Sequence, residues 1–337
     1  EAASSTAVQF EVAEAFNPEY VRDAVSLFVA KYAGDMAGST VTHQHDAQEW
    51  LTFVLHSLHE EFLLAGGLAD TSDDGDGWSE VSKGGRAAEV SRTASRDITL
   101  ISQLFAGTTK STRSGGGQAS LVTLQPFWTV QLYVADHDSV RDCLASFAGS
   151  ELIEGYVDKR TGRETRVTND TSFHTLPPIL IFSLKRFTYN KAGGPIKIVR
   201  PIKFEHELTI PKNLCSESLK SSLISREYRL TAAVEHLGRT AHKGHYITHV
   251  RMNNDVWATF DDDKVSFAPQ ANISPEGVYV LFYEQVHISR VAVAPSSSSS
   301  SPAASASSST ATTPHVAGGS YARAASFAAN FADGASA

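Results

Sequence analysis

The spacing of the apolar residues changes once along this chain, and that change most limits the folds open to it. Between residues 16 and 68, apolar side chains recur every three or four positions, which is the spacing of amphipathic helices. Between about residues 97 and 285 they alternate with polar residues or form short apolar runs, as strands do. Because the helical part precedes the strand part and does not interleave with it, the pattern predicts an α+β fold.

Three helices are predicted. The first begins near Pro18, and a short one covers residues 139–147. Between them, a helix is predicted over about residues 46–64, with Asp46 in the position of an N-cap. Its apolar face is formed by residues spaced by four: Trp50, Val54, Leu58 and Phe62. Strands are predicted at residues 127–134, 179–187, 228–236, 246–252, 256–260 and 277–283.

Two segments lack the pattern of a packed core. Residues 69–92 are rich in Gly and Asp, and we predict a flexible acidic loop there, because the acidic residues lack the ligand spacing of an EF-hand. Residues 291–337 are mostly Ser, Ala, Thr and Pro. Such a segment buries too little apolar surface to offset its ordering entropy, so we predict a disordered tail.

Composition argues against several classes of protein. A net charge of −8 disfavours general binding to nucleic acids, which depends on clustered Lys and Arg. The chain has no apolar run of about 18 residues, so we expect no membrane-spanning helix. Two cysteines in 337 residues exclude a disulfide scaffold and favour a reducing compartment, the cytoplasm or the nucleus.

Of the thirteen histidines, His245 has the surroundings expected of a catalytic base. It precedes a predicted strand, and residues 253–255 (Asn-Asn-Asp) separate that strand from the next, which is typical of a hairpin turn. Gly244, directly before it, permits a close approach of the backbone or an unusual φ. We therefore expect His245 at the open end of a β-hairpin.

The register of this hairpin predicts a carboxylate partner for His245. With residue 252 opposite residue 256, Asp263 lies opposite His245 and Asp261 is the diagonal neighbour. Both share the face of His245, while Asp262 points away, although a slip of one residue would reverse this parity. Asp261 or Asp263 would then orient the imidazole and stabilise its protonated form, as in a nucleophile–His–Asp triad.

No nucleophile for this pair is evident. Cys143 lies within an apolar helix pattern and is interpreted as a small packed hydrophobic residue. Cys215 lies in a connecting stretch, with no helix start or base motif nearby. Neither has the setting of a thiolate at a helix N-terminus, and the chain has no Gly-x-Ser-x-Gly elbow.

Four segments in order indicate a family. Residues 44–51 with 58–61, residues 176–187, residues 228–262 and residues 279–283 resemble the second box, the palm strand, the His box and the closing strand of ubiquitin-specific proteases. The similarity covers about residues 10–286. Residues 123–128 and 155–156 are most similar to the ubiquitin-specific protease ten subfamily.

The resemblance implies a papain-like cysteine protease with thumb, palm and fingers, which cleaves after the C-terminal Gly of ubiquitin. Residues 1–290 would form its catalytic domain, with residues 1–68 in the helical thumb and residues 93–290 in the fingers and palm. It places the general base at His245, which later acts as an acid, and the orienting carboxylate at Asp261.

The matched boxes also imply supporting residues and partners. The supporting positions are Gly244, Tyr246, Asp262, Gln44, Asp46 and Glu49. We expect the last three to cap and brace the helix under the cleft. The expected partners are ubiquitin and ubiquitinated proteins. We expect a monomer that needs no cofactor and binds neither nucleic acids nor membranes.

The chain departs from the family in two places. The family's Gly-Asn-x-Cys box should precede Gln44, but nothing in residues 1–42 resembles it, so we expect an N-terminally truncated domain that is inactive alone. The alternative is a pseudo-protease that binds ubiquitin without cleaving it. The Cys-x-x-Cys pairs that hold zinc in many members are also missing, at residues 111–117 and 157–162, so we expect no metal site.

Overall fold

The structure is a computed structural model, and it describes most of residues 19–286. The described ranges are 19–32, 46–66, 78–82, 87–92, 98–115, 120–157, 162, 164–189, 195–240, 243–252 and 256–286. Gln44, the hairpin turn at 253–255 and the predicted tail at 291–337 lie outside them. Residues 40–288 form the larger of two compact units and contain every described element except the first helix.

Five helices lie in the described residues. They are α1 (Glu19–Tyr32), α2 (Ala47–Ala65), α3 (Leu100–Phe105), α4 (Val140–Phe147) and α5 (Glu217–Ser221). The predicted N-cap of α2 is confirmed, because Asp46 Oδ1 accepts hydrogen bonds from the backbone N–H groups of Gln48 at 2.6 Å and Glu49 at 3.3 Å. Among these described helices, none has both the length and the apolar character needed to cross a membrane.

The face of α2 that packs is one residue away from the predicted apolar row. Leu55 is buried, and Ala47 and Leu51 pack with it against the sheet strands. On the predicted row, Leu58 and Phe62 remain 38% and 44% exposed. Both rows are apolar in sequence, so only the position of the neighbouring sheet selects between them.

A six-stranded sheet contains the strands on either side of α3. Its members are β1 (Trp78–Ser82), β2 (Ala87–Arg92), β3 (Gly107–Gly115), β4 (Ser120–Phe127), β6 (Ser150–Val157) and β7 (Glu164–Thr175), in the order β1-β2-β4-β3-β7-β6. The prediction of a loop over residues 69–92 is therefore wrong for β1 and β2. The antiparallel pairing of β1 with β2, and the parallel pairing of β2 with β4, supply backbone partners that local composition does not reveal.

An eight-stranded sheet forms the centre of the larger unit. Its members are β5 (Val130–Tyr133), β8 (Ile179–Lys185), β11 (Glu207–Thr209), β12 (Glu227–Leu237), β13 (His245–Arg251), β14 (Trp257–Asp261), β15 (Lys264–Ala268) and β16 (Val278–Gln285). Seven of them follow the order β15-β14-β13-β12-β16-β8-β5, and β11 pairs with β12. A separate pair is formed by β9 (Phe187–Tyr189) and β10 (Pro195–Lys197). The predicted strand over residues 127–134 is divided, since β4 ends where the chain passes to β5 in the other sheet.

The two hydrophobic clusters lie on opposite faces of this sheet. Ala233 and Leu281 belong to the larger cluster, which also contains α4 residues, while the adjacent Val234 and Val280 belong to the cluster with α2. The middle of β8 is buried on both faces, as its continuous apolar run predicts. Helices packed against two sheets of mainly antiparallel strands confirm the α+β fold class.

Candidate active site

The hairpin of β13 and β14 has the predicted register. Thr248 pairs with Phe260 and Arg251 with Trp257, so paired residues run outward from the turn without a slip. The Met252 N–H donates to the Val256 carbonyl at 2.7 Å and closes the hairpin. This pairing brings the first residue of β13, His245, close to the last residue of β14.

Asp261 is the carboxylate that meets His245. Its Oδ1 lies 2.5 Å from His245 Nε2. The register alone also allowed Asp263, opposite His245, but β14 ends at Asp261, which pairs with Lys264 of β15. Asp262 adopts a left-handed backbone with φ of 52°, and the resulting turn removes Asp263 from the strand.

The turn also brings Asp262 toward the imidazole, which corrects the expectation that it points away. A ring nitrogen of His245 and one carboxylate oxygen each of Asp261 and Asp262 all lie within 4.8 Å of one another. In the described part of the chain, this is the one group of three His, Cys, Asp or Glu side chains close enough to share a metal ion. The Asp261 hydrogen bond, with the charges of Asp262 and Asp261, raises the pKa of His245. Because Nε2 bonds to Asp261, Nδ1 is the ring nitrogen that can take a proton from a nucleophile.

Gly244 is required by its contact with His236. A Cβ at this position would lie 2.2 Å from His236 Nε2 and 2.4 Å from the Leu237 carbonyl oxygen. The backbone of Gly244 is not left-handed, so of the two expected reasons for glycine the structure shows close approach, here to the protein's own strand β12.

His236 is a site residue that the sequence analysis missed. It is 1% exposed, and neither ring nitrogen has a hydrogen-bond partner among the described residues. Burial, and next the charge of Lys197, lower its pKa to about 4, so the ring is neutral near pH 7. In the sequence it is only the last residue of the strand predicted over residues 228–236, eight residues before Gly244.

Tyr279 was also missed, and its hydroxyl gives Asp46 a second hydrogen-bonding role besides capping α2. While Asp46 Oδ1 caps α2, its Oδ2 accepts a hydrogen bond from the Tyr279 hydroxyl at 2.5 Å. Tyr246, directly after His245, packs with its ring centroid 6.2 Å from that of Tyr279. Burial and the charge of Asp46 raise the pKa of both tyrosines, which keeps both hydroxyls protonated near pH 7. Glu49 is exposed in the first turn of α2.

The buried side chains of Glu235 and His249 lie on the same face of the sheet as His245. Glu235 Oε1 is 3.4 Å from His249 Nε2, and His249 Nδ1 is 2.9 Å from the Thr259 hydroxyl. Glu235 also accepts a hydrogen bond from the Ser274 N–H. These contacts join β12, β13 and β14 through their side chains and so stiffen the hairpin that carries the candidate pair.

Both cysteines are buried, as the sequence predicts for Cys143. Cys143 lies on α4 within the larger hydrophobic cluster, and burial raises the pKa of its thiol to about 11. Cys215 follows a 3-10 turn at Lys212–Leu214, and burial raises its pKa as well. Raised pKa values and lack of access are the reverse of what a nucleophilic thiolate needs.

Comparison of the whole chain with known proteins points to one family. The family model described as ubiquitin carboxyl-terminal hydrolase matches residues 11–283. Ubiquitin carboxyl-terminal hydrolase 10-A of Xenopus laevis is 30% identical over 307 residues, covering 81% of this chain and 38% of that protein. Ubiquitin carboxyl-terminal hydrolase 24 of Arabidopsis thaliana is 30% identical over 296 residues, covering 82% of this chain and 52% of that protein.

Solved structures share the fold. A chain of the SAGA Ubp8/Sgf11/Sus1/Sgf73 DUB module superposes with a TM-score of 0.53 at 25% identity, covering 72% of this chain and 48% of that one. The same module bound to ubiquitin aldehyde gives a TM-score of 0.59 at 24% identity, covering 78% and 54%. The chain thus has the papain-like fold of ubiquitin-specific proteases. We call the eight-stranded sheet the palm and the six-stranded sheet the fingers. The chain spans about two fifths of the length of ubiquitin carboxyl-terminal hydrolase 10-A of Xenopus laevis.

Proposed function

The chain belongs to the ubiquitin carboxyl-terminal hydrolase family, and on this premise we propose that it supplies the base and the orienting carboxylate of a cysteine-type deubiquitinase. The observation that carries the proposal is the 2.5 Å contact between His245 Nε2 and Asp261 Oδ1. Its support is the agreement between family boxes and geometry, since both select Asp261. Binding of ubiquitin is proposed on the same basis, because a structural relative is described as bound to ubiquitin aldehyde.

In this proposal the nucleophile is a cysteine outside these 337 residues. His245 Nδ1 takes the thiol proton, and the thiolate attacks the carbonyl carbon of the last Gly of ubiquitin. The imidazolium then donates its proton to the leaving amine, which departs as a thioester forms between ubiquitin and the cysteine. Water, deprotonated by His245, hydrolyses the thioester and releases ubiquitin. Asp261 holds the ring in position and stabilises its charged form throughout.

Hydrolysis of a ubiquitin–fluorophore conjugate tests the proposal. We expect no turnover by the 337-residue chain, because both of its thiols are buried, and turnover by a longer natural product that contains a cysteine box. In that enzyme His245→Ala should lower kcat by about 1,000-fold or more. The matched control is His137→Ala, since His137 follows β5, at the opposite edge of the palm sheet from β14 and β15. Full activity in His245→Ala would remove His245 from the mechanism.

The second candidate is a ubiquitin-binding module without catalysis. The burial of both cysteines favours it, since no thiol in the chain is available for attack. Calorimetry with monoubiquitin should show binding to the 337-residue chain under either function. Only the deubiquitinase predicts hydrolysis by the longer product, and its absence there would select the binding module.

Two reduced cysteines also support our proposal that the protein acts in the cytoplasm or the nucleus.

A further inference from the structure

One carboxylate fastens the start of α2 to the last strand of the palm. Both oxygens of Asp46 are in use, because Oδ1 accepts from the first-turn N–H groups of α2 and Oδ2 accepts from the hydroxyl of Tyr279. The two residues are 233 positions apart in sequence. A charge-assisted bond at 2.5 Å between a buried tyrosine and a capping aspartate is short and directional. It sets the position of α2 relative to β16.

Tyr279 belongs to a group of four packed aromatic rings. We call Phe187, His236, Tyr246 and Tyr279 the ring cluster. The ring centroids of Phe187 lie 5.3 Å from those of Tyr279 and His236, and the His236 and Tyr246 centroids are 4.8 Å apart. The cluster joins β9, β12, β13 and β16, and rings in such contact prefer defined mutual orientations.

The ring cluster holds the residues on both sides of His245. Gly244 lies against His236 with no space for a Cβ, and Tyr246 is itself a cluster member. Side chains alternate along β13, so Tyr246 faces α2 while His245 faces the opposite side, where Asp261 meets it. The backbone at His245 cannot shift without displacing the rings behind it.

We infer that Tyr279 is a positioning residue for His245, because its bond to Asp46 locks the ring cluster against the start of α2 and the cluster fixes the strand that presents the imidazole. The inference rests on the proposed function and deepens it. A base displaced by about 1 Å can cost about 100-fold in rate while substrate binding elsewhere is kept. Loss of the bond should therefore reduce kcat more than it changes KM.

Tyr279→Phe removes the hydroxyl and keeps the ring. Its matched control is Tyr283→Phe on the same strand, because Tyr283 is also buried and its hydroxyl donates to the Glu205 carbonyl at 2.7 Å. Each variant loses one part-buried hydrogen bond, so a loss of thermal stability is expected in both. Asp46→Asn retains a cap acceptor and an amide partner for the Tyr279 hydroxyl, so it should behave like the wild type, whereas Asp46→Ala should behave like Tyr279→Phe.

Two measurements decide the inference. In the 337-residue chain, NMR titration of the His245 ring should show its pKa falling toward the ordinary value in Tyr279→Phe and Asp46→Ala, and unchanged in Tyr283→Phe and Asp46→Asn. In the longer, cysteine-containing enzyme, Tyr279→Phe should lower kcat by about tenfold or more with KM changed by less than about twofold. Equal pKa and kcat values in the two tyrosine variants would overturn the inference. The comparison of His245 pKa values by NMR does not depend on turnover. An inactive wild-type enzyme would therefore refute the proposed function, while the NMR comparison would still test the role of Tyr279.

Discussion

The pKa of His245 depends on which carboxylate accepts its hydrogen bond. The hydrogen bond that the imidazole donates to Asp261 makes the largest contribution to its raised pKa, and the charge of Asp262 adds to it. A raised pKa keeps the protonated form, which has to donate to the leaving group, populated at higher pH.

Asp261→Asn should therefore lower the pKa of His245, and Asp262→Asn should lower it by less. Asp263→Asn should leave it unchanged, because the turn removes Asp263 from the strand. Titration of the His245 ring by NMR measures all three variants on the same chain. A shift in Asp263→Asn as large as that in Asp261→Asn would contradict the assignment of the partner.

His236 makes stability depend on pH. Its pKa is about 4 in the folded chain against 6.5 for an ordinary histidine, so the unfolded chain binds more protons between these values. Stability should therefore fall as the pH drops from 6.5 to about 4, by up to about 3 kcal/mol from this residue. Urea unfolding of the wild type and of His236→Gln at pH 7.5, 5.5 and 4.5 measures the difference. Parallel pH profiles for the two proteins would show that His236 does not titrate in this way.

At the scale of elements, one buried cation joins β8 to two loops. Arg186 follows β8, is fully buried, and donates to the carbonyls of Val278, Pro275, Ile198 and Arg200 at 2.6 to 3.0 Å. Desolvation lowers its pKa to about 10, which still leaves it charged at pH 7. The guanidinium thus donates to four backbone carbonyls at once, of which that of Pro275 also accepts from the Ile202 N–H at 3.0 Å.

Arg186→Met should lower the free energy of unfolding by about 3 kcal/mol or more, because four buried or part-buried carbonyls each lose a hydrogen bond. Arg229→Met is the control, since the ion pair of Arg229 with Glu207 at 2.8 Å is exposed and worth about 0–1 kcal/mol. Chemical unfolding at pH 7 compares them. Equal losses in both variants would refute the special role of Arg186.

At the scale of the whole molecule, the fingers contain none of the cysteines that zinc binding would need. Both cysteines of the chain lie in the hydrophobic cluster of the palm, and β3, β4, β6 and β7 are held by backbone pairing. Arg113 lies with its Cζ 5.6 Å from the ring centroid of Tyr156, which adds a cation–π contact between β3 and β6.

Chelation should therefore leave the protein unchanged. We expect the purified chain to contain substoichiometric zinc, and its Tm to stay within about 1 °C in excess EDTA, because structural zinc sites contribute directly to folding free energy. Elemental analysis and calorimetry measure both quantities. A Tm lowered by EDTA and restored by added zinc would show that other ligands hold a metal.

Much of the fold could be predicted from local patterns. The hairpin at His245 formed in the expected register because alternation and a polar turn act over a few residues. The cap at Asp46 was predictable for the same reason. The strands at residues 78–82 and 87–92 were not, because β2 pairs with β4, a segment about 30 residues away, and β1 joins the sheet only through β2.

The sequence by itself determined the order of the element types, the hairpin register, the burial of Cys143 and the family, since each depends on residue type and short spacing. Tertiary structure decided which row of α2 packs, that the turn at Asp262 removes Asp263 from the strand, and that Tyr279 and His236 lie behind the base. Those outcomes depend on turns and side chains brought together across as many as 233 residues. Periodicity carries no information about contacts at that separation, because it records only which face of an element is apolar.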